Sequence, residues 1–491
     1  MNEKIFIKPG TPNDGNREYL PEAIQGSNMV VNENGNNSQV YPTRLTEHSD
    51  SLADGIPDTW YEYVPSSYDG ACKVPLVISL HGGLMTGWGQ SIYSSWTIVS
   101  ERDGFIVVFP NAHERRIWVL ECEKKTMEIL GEPNPGGFYM HTPPKQPEDN
   151  HDLKFLLMLI ERMKQKYNID ESRIFMHGMS MGEIMSSQFA RYYGRILAGQ
   201  AGSAGVTWPE VLFDEQGEVI NRAGSIPIWQ SRVEHESIPL HEDETDEFVK
   251  RNREYWKKIN LIDQFPEIKI VGEDNFAFYQ GDHADYVFRD IKNRDHGQTF
   301  DDAELIWDYL FSGLQRGKNG EVVNNEPLCQ RIGDAYAIAL ATGSAKAYVN
   351  NRIVMMSGPS IMHQKLKYHG LNGEAIVRGE YFLVPISFVA TVFEAIYISE
   401  EGGRFGELIL KDGRTLQFAQ GSIGCVVNNR VHSMFCEAVY KDGELYVPIE
   451  WICKKVFDNH TSNCEDVLYI TDHYAELSLN MALIIRDEIL K

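Results

Sequence analysis

The stretch "RIFMHGMSMGEIMSSQFARYY" (residues 173–193) decides the fold, because Ser180 stands in it between two methionines and two glycines. The residues before the motif are strand-like, and those after it place Ile184 and Phe189 at helical spacing. A serine on a sharp turn between a buried strand and a helix is the position of a catalytic nucleophile. The pattern therefore predicts a reactive Ser180, and the alternative is a serine that only caps the first turn of the helix.

Other apolar runs of strand length surround this motif and predict a parallel sheet. They are "VPLVISL" (74–80), "GFIVVFP" (104–110), "IPIWQ" (226–230) and "DYVFRDI" (285–291). Such continuous runs are typical of strands that are buried on both faces. Segments with helical periodicity alternate with them, at 152–167, 245–259 and 301–314. Residues 58–315 therefore predict a doubly wound, mostly parallel α/β sheet, preceded by an irregular lead-in over residues 1–57.

A polar segment at residues 316–327 predicts a linker, and a repeat follows it. "LATGSAKAYVNNRIVMM" (340–356) matches "FAQGSIGCVVNNRVHSM" (418–434), and each copy is followed by a Val-Pro-Ile element. Each repeat predicts alternating strands and one short helix, so that residues 328–474 form a small α+β domain. Residues 475–491 predict a C-terminal helix.

Composition excludes several classes of function. The net charge of −24 argues against a nucleic-acid partner or an anionic membrane surface, because both require basic patches. No run of 18 apolar residues and no apolar leader is visible, so we expect a cytoplasmic protein, or a secreted one if a leader is missing. The seven cysteines are widely spaced and include no CxxC pair. The sequence therefore predicts no metal site and no cofactor.

The residues that acyl transfer needs around a serine occur in the expected order along the chain. The loop "HGGLMTGWG" (81–89) follows a buried strand, so the backbone N–H of Gly83 is predicted to join that of Met181 in an oxyanion hole. His296, in a polar loop after the last strand, is the predicted base, and His283 is the fallback. Five further residues are predicted to contact the substrate: His81, Gly82, Met179, Trp88 and Trp229.

The acid that orients the base is expected in the loop after "IPIWQ". Glu234 is the predicted residue and Glu236 the alternative, since a carboxylate there accepts the imidazole N–H and stabilises the imidazolium.

Four segments together resemble the feruloyl esterase, acetyl xylan esterase and poly(3-hydroxybutyrate) depolymerase group of α/β-hydrolases. They are "PLVISLHGG", "GFIVVFPNA", "NIDESRIFMHGMSMGEIMS" and "WQSRVE". The resemblance implies a Ser-Asp-His triad, matched here by Ser180, Glu234 and His296. The chain departs from the group in its glutamate acid, and in Glu183, where a second glycine is usual.

These features predict a serine carboxylic ester hydrolase that forms an acyl-enzyme on a small or carbohydrate-linked ester, of the hydroxycinnamoyl (feruloyl) or acetyl type. A polyester depolymerase or a serine peptidase on the same fold is the alternative, and a non-catalytic binding protein is an alternative of another class. The "VNNR" and "VPI" repeats resemble the copper amine oxidase N-terminal-like domain. That resemblance does not imply copper, and it suggests binding or self-association into a homo-oligomer.

Overall fold

The computed structural model describes residues 42–113, 116–131, 139–236, 245–325, 336–369 and 374–491. The chain divides into two compact units. The first contains residues 1–264 and 278–331, and the second contains residues 265–277 and 332–491.

The sheet of the first unit carries the predicted hydrolase fold. Its strands are β1 (Leu45–Ala53), β2 (Ile56–Tyr63), β3 (Val74–Leu80), β4 (Ile106–Pro110), β5 (Ile169–Met179), β6 (Gly199–Ser203), β7 (Ile228–His235) and β10 (Tyr286–Asp295), in the order β1-β2-β4-β3-β5-β6-β7-β10. Between β7 and β10 in sequence, β8 (Glu267–Val271) and the first residues of β9 (Asp274–Tyr279) belong to the second unit. The run β4-β3-β5-β6-β7-β10 is parallel throughout. This confirms the prediction of a largely parallel α/β sheet.

Helices connect the strands of this sheet. They are α1 (Gly87–Tyr93), α2 (Trp96–Asp103), α3 (Lys124–Leu130), α4 (His151–Lys166), α5 (Met181–Tyr193), α6 (Pro209–Leu212), α7 (Thr245–Asn260) and α8 (Asp302–Ile306), and α8 continues as a π-helical turn over Trp307–Phe311. Short 3₁₀ turns occupy Pro147–Asp149 and Gly194–Ile196. In the parts of the chain that the structure describes, no helix is long and apolar enough to cross a membrane.

The central strands are buried because their side chains are apolar on both faces. Leu76, Val77 and Ile78 of β3 and Phe175 of β5 have no exposed surface. Each such side chain contributes about 1.5–3 kcal/mol to folding. The site described below therefore stands on a rigid base.

Two predicted boundaries of this unit are wrong. The lead-in was expected to be irregular to residue 57, but β1 begins at Leu45 and pairs with β2 in antiparallel fashion. Most β1 side chains are exposed, so the strand has no apolar pattern to reveal it. The predicted linker likewise contains β12 (Val322–Asn324), which pairs with β11 (Leu314–Arg316) around a turn at Gly320 with φ of 87°.

The second unit is built mostly from β-strands, together with a few short helices. The strands are β13 (Ala337–Ala341), β14 (Lys346–Val349), β15 (Ile353–Met355), β16 (Ile361–His369), β17 (Glu374–Pro385), β18 (Ile396–Glu400), β19 (Phe405–Ile409), β20 (Thr415–Ala419), β21 (Gly424–Val427), β22 (Arg430–Ser433), β23 (Val439–Lys441), β24 (Glu444–Pro448), β25 (His460–Cys464) and β26 (Val467–Thr471). The helices are α9 (Ile386–Val392), α10 (Ile449–Val456) and α11 (Leu479–Ile484), with a 3₁₀ turn at Glu401–Gly403. A π-helical turn over Ile485–Ile489 extends α11, so that the predicted C-terminal helix is present but shorter than expected.

The internal repeat has a structural counterpart at each "VNNR" element. Asn350 and Asn351 have φ of 47° and 61°, and Asn428 and Asn429 have φ of 48° and 64°. Positive φ at both central residues defines the tight hairpin turn that suits twisted strands. These turns join β14 to β15 and β21 to β22, and α9 and α10 each start directly after Val-Pro. The predicted order of strands and one helix per repeat is therefore confirmed.

Candidate active site

Ser180 lies on a strained turn between β5 and α5. Its backbone has φ of 55° and ψ of −120°, a conformation that side chains other than glycine rarely adopt. Its N–H donates to the carbonyl of Ser203 at 2.8 Å, and its carbonyl accepts from the N–H groups of Glu183 and Ile184. The helix thus begins immediately after the serine, as the motif predicts.

The two glycines of the motif are required by close packing. A Cβ on Gly178 would lie 2.0 Å from the carbonyl oxygen of Gly182, and a Cβ on Gly182 would lie 2.5 Å from that of Leu80. Neither position has room for a side chain, because β5, α5 and the end of β3 meet there. The glycine spacing therefore allows the sharp turn.

His296 contacts the serine directly. Its Nε2 lies 3.0 Å from Oγ of Ser180, although the two residues are 116 positions apart in sequence. Both side chains are less than one-tenth exposed. The fallback His283 lies on an exposed turn before β10, whereas His296 follows β10, so the two histidines stand at opposite ends of that strand.

The structure places Glu236, and not Glu234, beside the base. Oε1 of Glu236 lies 2.6 Å from Nδ1 of His296. Oε2 of Glu234 instead accepts the backbone N–H of Asn293 at 2.8 Å. The reason is the register of β7 and β10, which pairs His235 with Asp295 and so sets the next residues, Glu236 and His296, side by side. The prediction of Glu234 is corrected on this geometry.

Glu236 and His296 are within ion-pair distance. The angle at the ring N–H does not meet the geometry of a hydrogen bond to the carboxylate oxygen. Loose alignment of this kind is common in a free enzyme and tightens when substrate binds. Arg232, which the sequence analysis missed, donates from Nη1 to Oε2 of Glu236 at 3.1 Å and is itself buried. Arg232 stands two residues before Glu234 and four before Glu236, and this spacing is the signal that could have found it, since alternate strand residues share a face.

The two predicted oxyanion donors lie at the same edge of the sheet. Met181 is the first residue of α5, where the backbone N–H has no partner within the helix. Gly83 follows β3, and β3 pairs in parallel with β5 so that Leu80 is level with Gly178. The loop after β3 and the turn at Ser180 are therefore neighbours, which is the placement that the prediction requires.

His81 holds this loop rather than facing a substrate. Its side chain is fully buried, its Nε2 accepts the N–H of Ala112 at 2.9 Å, and its Nδ1 donates to the carbonyl of Gly82 at 2.7 Å. Burial lowers the pKa of His81 to about 4, so the ring is neutral. Trp118 packs on the ring and donates from Nε1 to the carbonyl of His81 at 2.8 Å. The predicted substrate contact at His81 is replaced by a structural role.

The other predicted substrate contacts are interior residues as well. Trp229 is fully buried and donates from Nε1 to Oγ of Ser231 at 2.7 Å. Trp88 is 1% exposed on α1. Met179 packs with Met85 and Tyr93, and its Cε would lie 3.0 Å from a Cβ on Gly82. These side chains shape the sheet and the loop beneath the serine.

Glu183, the departure from the resemblance, fills the space below Ser180. It is 2% exposed, and its Oε2 accepts the backbone N–H of Gly205 at 2.5 Å. Burial raises the pKa of Glu183 well above its ordinary range, although the charge of Arg232 opposes that rise. A Cβ on Gly202 would lie 2.3 Å from Cγ of Glu183, so a glycine on β6 makes room for it.

Together these residues form a site of the serine-hydrolase class on an α/β-hydrolase sheet. A hydroxyl on a strained turn, an imidazole, a carboxylate and the N–H at the start of a buried helix are the parts that this class requires.

No family model matches the chain. Among curated proteins, it is 22% identical over 252 residues to a bifunctional acetylxylan esterase/xylanase of Neocallimastix patriciarum, covering 50% of this chain and 32% of that protein. It is 25% identical over 145 residues to poly(3-hydroxyalkanoate) depolymerase C of Paucimonas lemoignei, covering 30% of each. The chain thus spans about a third of the length of these relatives. The likeness of the repeats to the copper amine oxidase N-terminal-like domain stays a prediction.

Two of the similar solved structures are described as esterases. An acetyl xylan esterase from Aspergillus awamori has a TM-score of 0.40 at 16% identity, covering 54% of this chain and 98% of that one. A ferulic acid esterase from Anaeromyces mucronatus has a TM-score of 0.34 at 15% identity, covering 53% and 86%.

Proposed function

We propose that the chain is a carboxylic ester hydrolase that works through an acyl-enzyme on Ser180. The observation that carries the proposal is the 3.0 Å contact between Oγ of Ser180 and Nε2 of His296. That contact joins a strained serine at the head of α5 to a base whose other nitrogen faces Glu236. A serine hydroxyl becomes a useful nucleophile only when a base is in place to take its proton.

In the first half of the reaction, Oγ of Ser180 attacks the ester carbonyl carbon while Nε2 of His296 takes the hydroxyl proton. The N–H groups of Met181 and Gly83 stabilise the negative oxygen of the tetrahedral intermediate. Glu236 stabilises the imidazolium that has formed. The C–O bond to the alcohol then breaks, and the imidazolium returns its proton to the leaving alkoxide.

In the second half, His296 takes a proton from water, and the resulting hydroxide attacks the acyl carbon. The same N–H groups stabilise the second intermediate. The bond from the acyl carbon to Oγ breaks, Ser180 regains its proton, and the carboxylic acid leaves.

The proposed substrates are carbohydrate-linked or small esters of the acetyl or hydroxycinnamoyl type. Two proteins that are similar to this chain are described as an acetylxylan esterase and a ferulic acid esterase, and these descriptions support the choice. The name of the depolymerase keeps a hydroxyalkanoate polyester as the alternative. A serine peptidase is a further alternative, since the same catalytic groups cleave amides.

The test is hydrolysis of a panel: nitrophenyl acetate, methyl ferulate, acetylated xylan, a hydroxybutyrate oligomer and a peptide anilide. We expect release of acetate or ferulate by the wild type and its loss in Ser180→Ala. Activity on the oligomer or the anilide alone would replace the proposed substrate class with one of the alternatives. A wild type as inert as Ser180→Ala on the whole panel would favour a non-catalytic binding protein.

A further inference from the structure

A second group of chemically capable side chains lies in the first unit, apart from the catalytic residues. We name it the histidine cluster: Asp58 of β2, His113 in the loop after β4, and His151 at the first position of α4. One ligand atom from each side chain lies within 4.8 Å of the others. These three residues are far apart in sequence, so no spacing motif reveals them.

Asp58 presents one oxygen to the cluster and is held by the other. Its Oδ2 accepts the backbone N–H groups of Leu52 and Ala53 at 3.2 and 3.3 Å. Its Oδ1 lies 2.9 Å from Nε2 of His151. Because the carboxylate is buried and fixed by the β1–β2 turn, Oδ1 faces the two imidazoles.

His151 is oriented from its far side by a second carboxylate. Its Nδ1 lies 3.0 Å from Oδ2 of Asp54, and Asp54 is held in turn by Nζ of Lys154 at 2.6 Å. A carboxylate on one imidazole nitrogen, with the other nitrogen turned towards a shared centre, is the usual support of a metal-binding histidine.

The ring of His113 packs on that of His151, with centroids 4.6 Å apart and planes at 57°. Its backbone N–H donates to Oδ1 of the buried Asp152 at 3.3 Å, which fixes the position of the loop. His113 and His151 are both partly exposed, and Asp58 is buried.

We propose that Asp58, His113 and His151 bind one zinc-like divalent transition-metal ion, with water in the fourth position. Two imidazoles and one carboxylate are the nitrogen and oxygen donors that zinc accepts, whereas calcium and magnesium prefer all-oxygen sites. The ion replaces the proton between Nε2 of His151 and Oδ1 of Asp58, so binding releases a proton when that ring is charged.

The ion would join three segments: the β1–β2 turn, the loop after β4 and the start of α4. His113 directly follows Ala112, whose N–H holds His81 behind the oxyanion loop. The proposed ion therefore stabilises the fold and stands outside the ester chemistry.

The test uses the untagged full chain, treated with a chelator and dialysed, and then titrated with zinc chloride by calorimetry and by thermal unfolding. We expect one saturable zinc ion per chain at this site and a rise in Tm, with no rise on adding calcium or magnesium. A wild type without saturable zinc binding, or one stabilised equally by calcium, would overturn the proposal.

His113→Ala is the decisive variant, because it removes one ligand and leaves the contacts of His151 with Asp54 and Asp58 in place. We expect it to fold and to bind zinc at least tenfold more weakly, whereas Asp54→Asn, which loses only the supporting carboxylate, weakens binding about tenfold. His432→Ala, at an exposed position on β22, is the matched control and binds as the wild type does. Wild-type zinc binding by His113→Ala would also overturn the proposal.

Discussion

The active site and the histidine cluster each hold a histidine against a carboxylate, and they differ in the third partner. At the active-site edge, His296 lies between Glu236 and Ser180. In the histidine cluster, His151 lies between Asp54 and Asp58, with a second imidazole beside it. An imidazole with a hydroxyl on a strained turn transfers protons in acyl chemistry, whereas an imidazole with a second imidazole and a carboxylate binds a cation.

The backbone makes the difference between these regions. Ser180 lies on a turn with positive φ, and this turn is possible because Gly178 and Gly182 have no side chains. The residues of the histidine cluster stand on ordinary strand, loop and helix positions. The pairing of histidine with carboxylate therefore does not define a function until the third group and its geometry are known.

The largest effect is expected at the serine itself. Ser180→Ala removes the nucleophile, so kcat for ester hydrolysis should fall about 10⁴-fold or more. Steady-state hydrolysis of nitrophenyl acetate measures it. His113→Ala is the matched change in the other region and should retain wild-type kcat. A comparable loss of kcat in His113→Ala would show that the histidine cluster takes part in ester hydrolysis.

The second prediction separates two glutamates on one strand. Glu236→Ala should lower kcat by about 10²- to 10⁴-fold, because the imidazolium loses its stabilising charge. Glu234→Ala is the matched control, and its kcat should stay within about twofold of wild type. Both are measured with the same ester. The reverse ranking would return the acid role to Glu234.

The third prediction concerns His81, whose ring is hydrogen-bonded to backbone groups. The pKa of His81 is about 4 in the fold and about 6.5 when unfolded, so the unfolded chain binds the proton first. The stability from its neutral burial is complete above pH 6.5 and is lost as pH falls from 6.5 towards 4, by about 3 kcal/mol. Urea unfolding between pH 7.5 and 4.5 should show a shallower loss for His81→Gln than for wild type. His432→Gln is the control, and equal slopes in wild type and His81→Gln would contradict the account.

The smallest effect is expected at Glu183. Burial raises the pKa of this carboxyl, and the side chain fills the space below Ser180. Glu183→Gln keeps the shape of the side chain and removes its ability to carry a charge, and kcat should change less than about threefold. Glu183→Ala leaves a cavity and should lower the free energy of unfolding by about 2–4 kcal/mol. A large loss of kcat in Glu183→Gln alone would show that a charge is needed there.

The sequence was sufficient to predict the strained turn at Ser180 and the position of His296 near it, because local patterns encode both. Ser180 has its glycines and its strand and helix in one stretch, and His296 follows a recognisable strand. The choice between Glu234 and Glu236 depended on the register of β7 against β10, which shifts between Ile291 and Asp295 and leaves no mark in the sequence.

Other features were out of reach because they arise from distant contacts. His81 and Trp229 were predicted to contact the substrate, but the packing of the loop and the sheet buries them. The histidine cluster was missed because Asp58, His113 and His151 come together only through the β1–β2 turn, the loop after β4 and the first turn of α4.

The most direct test of the central claim is covalent labelling of the purified chain with a fluorophosphonate, followed by mass spectrometry of the intact chain and its peptides. We expect one label per chain, on Ser180, with a labelling rate that falls in Glu236→Ala and stays at the wild-type value in Glu234→Ala. A label on another residue, or a wild-type chain that remains unlabelled, would contradict it.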